Sequence, residues 1–269
     1  LKTYVEHRQN YQKICDDKEA SLNEKKEAKR ILVNFSKNHR DTVTIFKSFV
    51  FWKKYISKQG SSIITELFTG LYYSRIECQE CHQISDTFEP FTILTLEIPQ
   101  SGQAITLEEC LKKFSREELL TDNEKYNCEV CKKKTEAKKK MHIWEPPSIL
   151  IIHLKRFENR RISQYYSTQS KINSTIIFPL KDLTLDENYS DVHKSFGYKY
   201  ELTAISEHMG SCQGGHYIAH CKNPINNKWY NFNDDTIHHV QSDDVLKELI
   251  TNKAYILFYT RQFSSPAQQ

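Results

Sequence analysis

Glycine and proline are scarce in this chain, seven of each in 269 residues. A sequence so poor in both is neither a flexible linker nor a low-complexity segment. Long apolar runs are missing as well. None approaches the roughly 20 residues that a bilayer-spanning helix needs, so no transmembrane segment is expected. The first twenty residues are polar and hold no apolar h-region, so no signal peptide is read there. Without a secretory signal, a disulfide framework is disfavoured for the eight cysteines. A reducing compartment is inferred. Position 1 is Leu1 and not methionine, and the chain is read as a fragment, a trimmed chain or a processed product.

Aromatic residues, by contrast, are plentiful: 14 Phe, 15 Tyr and 3 Trp within 38% apolar content. That supply can build a substantial core, as one large domain or a domain with a lobe, and it suits a strand-rich body. The net charge of +4 is uneven. Residues 1–60 hold 14 Lys/Arg against 7 Asp/Glu, while the remaining 209 hold 24 against 27. A basic segment can face nucleic acid or an acidic membrane, or it can be a solvated helical face with lysines among glutamates. No base-stacking aromatics are interleaved with the lysines, so nucleic acid is not an expected partner.

Residues 1–60 read as helix. Stretch 18–37 is built from good helix formers, and 43–56 carries Val43, Phe46, Val50 and Tyr55 on roughly one face before Gln59-Gly60 closes it. From Leu67 onward the texture is that of strands. Strands are expected at 71–77, 83–98, 141–144, 148–157, 175–178, 198–206, 216–222, 229–232 and 254–260, with one short helix at 106–114. The fold class is therefore α+β with a mostly antiparallel sheet. Stretch 158–173 is polar and without period, and is expected to be a flexible loop.

Two matched cysteine pairs, Cys78-Gln79-Glu80-Cys81 and Cys128-Glu129-Val130-Cys131, stand 46 residues apart. A C-x-x-C pair can bite one tetrahedral ion, and two pairs complete a closed four-thiolate set, so one structural zinc is expected. The alternatives are four unligated thiols or a redox pair, but nothing nearby reads as a thioredoxin-like βαβ unit. Each pair adjoins a strand, so the ion would clip the tips of two hairpins far apart in sequence.

The block Gly214-Gly215-His216-Tyr217-Ile218-Ala219-His220 places two glycines just before a strand. A histidine there can serve as general base for a thiol, given an orienting partner on its other nitrogen. About fifteen residues on, Trp229-Tyr230-Asn231-Phe232-Asn233-Asp234-Asp235 supplies amide and carboxylate groups at a strand end. On spacing alone the block also fits a turn followed by a structural histidine.

Taken in order, the two cysteine pairs, Ile152-His153-Leu154-Lys155-Arg156-Phe157, the Gly-Gly-His-Tyr block, the Trp-Tyr-Asn-Phe-Asn-Asp block and Ala254-Tyr255-Ile256-Leu257-Phe258-Tyr259 resemble the ubiquitin-specific proteases. The likeness is greatest to their endosome-associated members and covers 61–260, about three quarters of the chain. It implies a papain-like fold with a zinc-bearing "fingers" lobe at about 65–142 and a "palm" at about 143–262. Residues 1–60 would then be a thumb remnant or an insertion, and 263–269 a tail. The resemblance further implies His216 as base, Asn233 as its orienting residue, and Asp234 as the neighbouring acid. Gly214, Gly215 and Tyr217 would line a groove for the Gly-Gly tail of ubiquitin. The implied activity is thiol-dependent cleavage of the thioester, peptide or isopeptide bond after that tail. The implied partners are ubiquitin, ubiquitinated proteins and an adaptor, and the implied location is cytoplasmic, endosome-associated or nuclear.

The family's nucleophile motif, resembling G-N-T-C-Y-M-N-S, is not found, nor is the Q-[DE]-x-[QH]-E-[FL] motif of its thumb. Cys15 has acidic neighbours that oppose a thiolate, Cys110 and Cys221 read as packing residues, and Cys212 reads as a loop cysteine. Two readings result. In one, the nucleophile lies upstream, so this chain alone is inactive. In the other, the chain is a catalytically dead module that binds ubiquitin or a partner around a structural zinc.

Overall fold

The computed structural model describes residues 2–99, 104–161, 167–188, 197–241 and 245–262. The chain forms two compact units that divide between Ser61 and Ser62.

The first unit is helical: α1 (Lys2–Asp16), α2 (Leu22–Asn38) and α3 (Arg40–Gln59). Helix α2 starts at Leu22, four residues later than composition suggests, because Ser21 caps it. The Ser21 hydroxyl accepts the Glu24 N–H at 3.2 Å, and the Glu24 carboxylate accepts the Ser21 N–H at 2.8 Å. This reciprocal pair satisfies donors that the helix start would otherwise leave bare. Helix α3 ends at Gly60, whose φ of 81° is open to glycine at little cost. Buried Tyr4 meets Phe46 edge-on at 5.3 Å and stacks on Phe35 at 6.1 Å, so one ring joins all three helices.

The second unit begins with α4 (Ile63–Phe68), β1 (Gly70–Cys78), β2 (Ile84–Phe91), β3 (Leu94–Glu97), β4 (Ile105–Thr106) and α5 (Leu107–Phe114). Next come β5 (Glu118–Leu120), β6 (Tyr126–Cys128), β7 (Lys133–Thr135), β8 (Ala137–Glu145) and β9 (Ile149–Lys155). The chain continues through β10 (Phe157–Arg161), β11 (Ser167–Lys171), β12 (Ile176–Ile177) and β13 (Tyr200–Ser211). It closes with β14 (Gly214–Lys222), β15 (Trp229–Asn233), β16 (Thr236–His239), α6 (Val245–Leu249) and β17 (Ala254–Arg261). A lobe sheet has the order β2-β1-β8-β5, and the main sheet runs β16-β15-β14-β13-β17-β9-β3. Pairing is antiparallel except between β3 and β9 and between β4 and β12. The chain is thus α+β with a mostly antiparallel sheet.

Two expectations need correction. Stretch 83–98 is two strands in two sheets: Phe91 pairs with Gly70 in the lobe, whereas Leu94 pairs with Ile152 in the main sheet. The cause is visible in the alternation, which slips by one between Ile93 and Leu94 and turns Leu94, Leu96 and Ile98 into the core. Stretch 158–173 is not a structureless loop. Strands β10 and β11 pair from Phe157↔Lys171 to Arg161↔Ser167, and residues 162–166 lie outside the described residues. Main-chain groups close such a ribbon, so an apolar period is not required.

The core lies under the main sheet. Leu94, Leu96, Leu150, Ile152, Leu154, Leu202, Ile205 and Leu257 are fully buried there. Cutting one such leucine to alanine costs about 2–5 kcal/mol. Buried tyrosines find partners: Tyr200 donates to the Pro147 carbonyl at 2.7 Å and Tyr259 to that of Pro179 at 2.8 Å.

Candidate functional site

Both cysteine pairs sit at hairpin tips, at the turns of β1–β2 and β6–β7. In each, the fourth residue after the first cysteine turns back, His82 with φ 55° and Lys132 with φ 56°. Their N–H groups donate to the Cys78 and Cys128 carbonyls at 3.0 and 2.8 Å. The result is one local knuckle built twice. The lobe sheet brings the knuckles together, so that Cys78 and Cys131 sulfurs lie 3.9 Å apart and those of Cys81 and Cys128 3.6 Å apart. All four lie within 4.8 Å of one another. Four thiolates at about 2.3 Å from one tetrahedral ion would stand about 3.8 Å apart, so the set fits a metal ion. The Thr135 hydroxyl, 3.3 Å from the Cys78 sulfur, is the main cause holding that thiol down at about 6. The neighbouring Cys81 sulfur pushes Cys131 up to about 12. Four sulfurs this close cannot all ionise unless a cation offsets their charge.

His216 lies on β14, whose ladder with β15 runs from Lys222↔Trp229 to Ala219↔Phe232. Continuing that register puts Asn233 diagonally across from His216. Asn233 then pairs with Thr236 across a two-residue turn, and Asp234 takes φ 48° there. Asp tolerates this left-handed geometry better than most residues. His216 Nε2–H donates to Asn233 Oδ1 at 2.6 Å, and an Asp234 oxygen stands further off at 3.8 Å. Because an amide oxygen only accepts, Nε2 holds the proton and Nδ1 keeps a lone pair free. The His216 side chain is 44% exposed, so the ring can be approached from solvent. Asp234 is 79% exposed, and solvent screens its charge.

The expected groove residues divide. Gly214 and Gly215 belong to β14 itself and do not precede it. The glycine using a left-handed φ is Gly210 at 116°, directly across the hairpin from Gly215. A Cβ on Gly215 would run into His208 Nε2 and the Met209 carbonyl, so glycine there serves strand packing. A Cβ on Gly214 would meet nothing within 4 Å. Tyr217 is 55% exposed, and its ring rests on His208 at 4.7 Å between centroids.

All eight cysteines are unpaired. Cys110 is buried in the core, and burial pushes its thiol up to about 11. Burial likewise raises half-buried Cys221. Cys212 lies in the β13–β14 turn, and Cys15 on α1. Sequence reasoning passed over His208, Lys171 and Thr135. Only His208 left a trace, a histidine in the strand preceding the glycine pair.

The family described as "Ubiquitin carboxyl-terminal hydrolase" matches residues 8–259. The match therefore takes in helices that the sequence motifs alone left outside. A Gallus gallus protein named ubiquitin carboxyl-terminal hydrolase 2 is 39% identical over 225 residues, covering 83% of this chain and 59% of that protein. Drosophila melanogaster ubiquitin carboxyl-terminal hydrolase Usp2 is 37% identical, covering 80% of this chain and 22% of that protein. The chain thus spans less than two thirds of either relative. Among solved structures, a yeast SAGA DUB module with a mutant Sgf73 aligns with TM-score 0.64 and 33% identity, over 77% of this chain and 44% of that one. A SAGA module of Ubp8, Sgf11, Sus1 and Sgf73 bound to monoubiquitin gives 0.63 and 32%, over 77% and 43%.

Proposed function

The chain belongs to the ubiquitin carboxyl-terminal hydrolase family, the ubiquitin-specific proteases, and from that premise we propose that it is the histidine-bearing and metal-bearing part of a thiol deubiquitinase. The observation that carries the reading is the 2.6 Å contact between His216 Nε2 and Asn233 Oδ1. It holds the imidazole in the tautomer whose free Nδ1 can take a proton from a thiol. In the proposed reaction the thiol proton passes to Nδ1 as the thiolate attacks the carbonyl after the ubiquitin tail. The imidazolium returns the proton to the departing amine and leaves a thioester, which water then hydrolyses. Asn233 orients the ring without adding charge, while Asp234 adds a screened negative field.

None of this chain's cysteines is given the nucleophile's role. Cys110 and Cys221 are held as thiols by burial, and four others form the metal set. The nucleophile is proposed to lie upstream, so the 269-residue chain alone should not turn over conjugates. Cys78, Cys81, Cys128 and Cys131 would hold zinc, whose contribution is to staple the lobe. Ubiquitin and ubiquitinated proteins are the proposed partners, with an adaptor as in the SAGA module, in the reducing cytoplasm, on endosomes or in the nucleus.

The deciding experiment gives the full-length encoded protein ubiquitin conjugates and a ubiquitin probe with a thiol-trapping terminus. Thiol-dependent cleavage that needs His216 is expected. A folded, zinc-loaded full-length protein that binds ubiquitin without ever reacting would hand the chain to the binding-module reading.

A further inference from the structure

We propose that Lys171 is a positioning residue for His216, acting through the buried ring of His208. The role rests on His216 being the general base.

Lys171 is the last residue of β11, where the ribbon returns to the main sheet. Its Nζ donates to the His208 carbonyl at 2.6 Å, reaches the Gly210 carbonyl at 3.4 Å, and lies 3.3 Å from His208 Nδ1. An ammonium has hydrogens and no lone pair, so Nδ1 is the acceptor in the last contact. The same Nζ sits 5.9 Å from the Phe157 ring, and Phe157 meets the His208 ring edge-on at 5.3 Å. One side of His208 is therefore fixed by the ribbon: by its cation at one end of the ladder pair and by its aromatic at the other.

Against its other side the ring meets Gly215, Tyr217 and, at 6.0 Å between centroids, Tyr255. Its Nε2 abuts Gly215 so closely that no Cβ fits, and its face meets Tyr217 at 4.7 Å. Gly215 and Tyr217 are the two chain neighbours of His216. Successive strand residues point to opposite faces, so the His216 ring lies across the sheet from His208 and the backbone carries the influence. Clamping both neighbours fixes the His216 Cα–Cβ direction, and that direction decides whether Nε2 reaches Asn233. Burial first, and the Lys171 cation second, hold His208 below its usual titration range, so its Nδ1 stays an acceptor for Lys171. Losing the ammonium removes the donor that holds Nδ1, so the ring can rotate, and the clamp on Gly215 and Tyr217 loosens.

The test is ¹H–¹³C and ¹⁵N spectroscopy of the histidine rings in the 269-residue chain, with Asn233→Ala marking the His216 resonances that have lost their partner. Lys171→Met should move the His216 resonances toward their Asn233→Ala positions and leave His82 in place. Lys171→Arg, which keeps cation and donors, should restore most of the shift. If Lys171→Met fails to fold, Lys171→Gln keeps an amide donor group without the charge and should show an intermediate shift. A folded Lys171→Met or Lys171→Gln in which His208 moves while His216 stays at its original position overturns the proposal. So does failure of Lys171→Arg to restore the shift. A parallel assay of the full-length protein on ubiquitin conjugates separates the ideas, because absent cleavage sinks the deubiquitinase reading and leaves the ring shifts to judge Lys171.

Discussion

The cysteine site and the histidine site solve the same problem, holding side chains in fixed geometry, by different means. At the cysteine tips most of the geometry is local. Each knuckle takes its shape from five consecutive residues, with a left-handed His82 or Lys132 and one backbone hydrogen bond. The sheet has only to bring two finished halves together. At His216 nothing local suffices. Its partner lies 17 residues away, and the ladder register, the turn at Asp234 and the packing at Gly215 must all agree. A locally built site tolerates movement elsewhere, but four clustered thiolates would depend on an ion to offset their charge. A site assembled across strands needs no ion but is sensitive to remote packing.

The comparison breaks most readily at the metal. Purified chain should carry one zinc, and Cys128→Ser should lose it and unfold the lobe, since such ions contribute about 10–16 kcal/mol to folding. Metal analysis with hydrogen exchange on β6 and β7 checks this, and full metal content in the variant would refute it. His216→Ala comes next, leaving zinc and melting temperature unchanged. In the full-length protein it should lower turnover by about 10²–10⁴-fold, the range for general-base loss.

Asn233→Ala should cost less than His216→Ala, because it removes the orienting partner and leaves the base. Steady-state kinetics of the two variants side by side give the order, and the reverse order would displace Asn233 from its role. The smallest effects sharpen the contrast at the glycines. Gly215→Val should lose about 1–3 kcal/mol in chemical denaturation by forcing β14 away from His208. Gly214→Val has open space and should leave stability alone while weakening ubiquitin binding. Equal melts for both would mean that His208 yields easily.

Much of this was legible in the sequence because the information was short-range. Paired C-x-x-C spacing announces a knuckle wherever it occurs. The strand alternation, with its slip between Ile93 and Leu94, even contained the division into two sheets, although the stretch reads at first as one strand. The ribbon β10–β11 was not legible, because main-chain pairing leaves no apolar period to detect. Nor was the purpose of Gly215. The pair of glycines suggests backbone freedom, yet Gly210 uses the unusual φ, and Gly215 is small because a histidine ring occupies the space.

By itself, then, the sequence determined the fold class, the four clustered cysteines and the candidates His216, Asn233 and Asp234, through residue type, short-range spacing and the family resemblance that the ordered motifs carry. Tertiary structure alone decided that Asn233 and not Asp234 stands within hydrogen-bond reach, and that Lys171 and His208 brace the hairpin from behind. Those outcomes depend on angles and distances of a few tenths of an ångström between strands. Such differences come from the register and twist of the whole sheet, and no local pattern of residues encodes them.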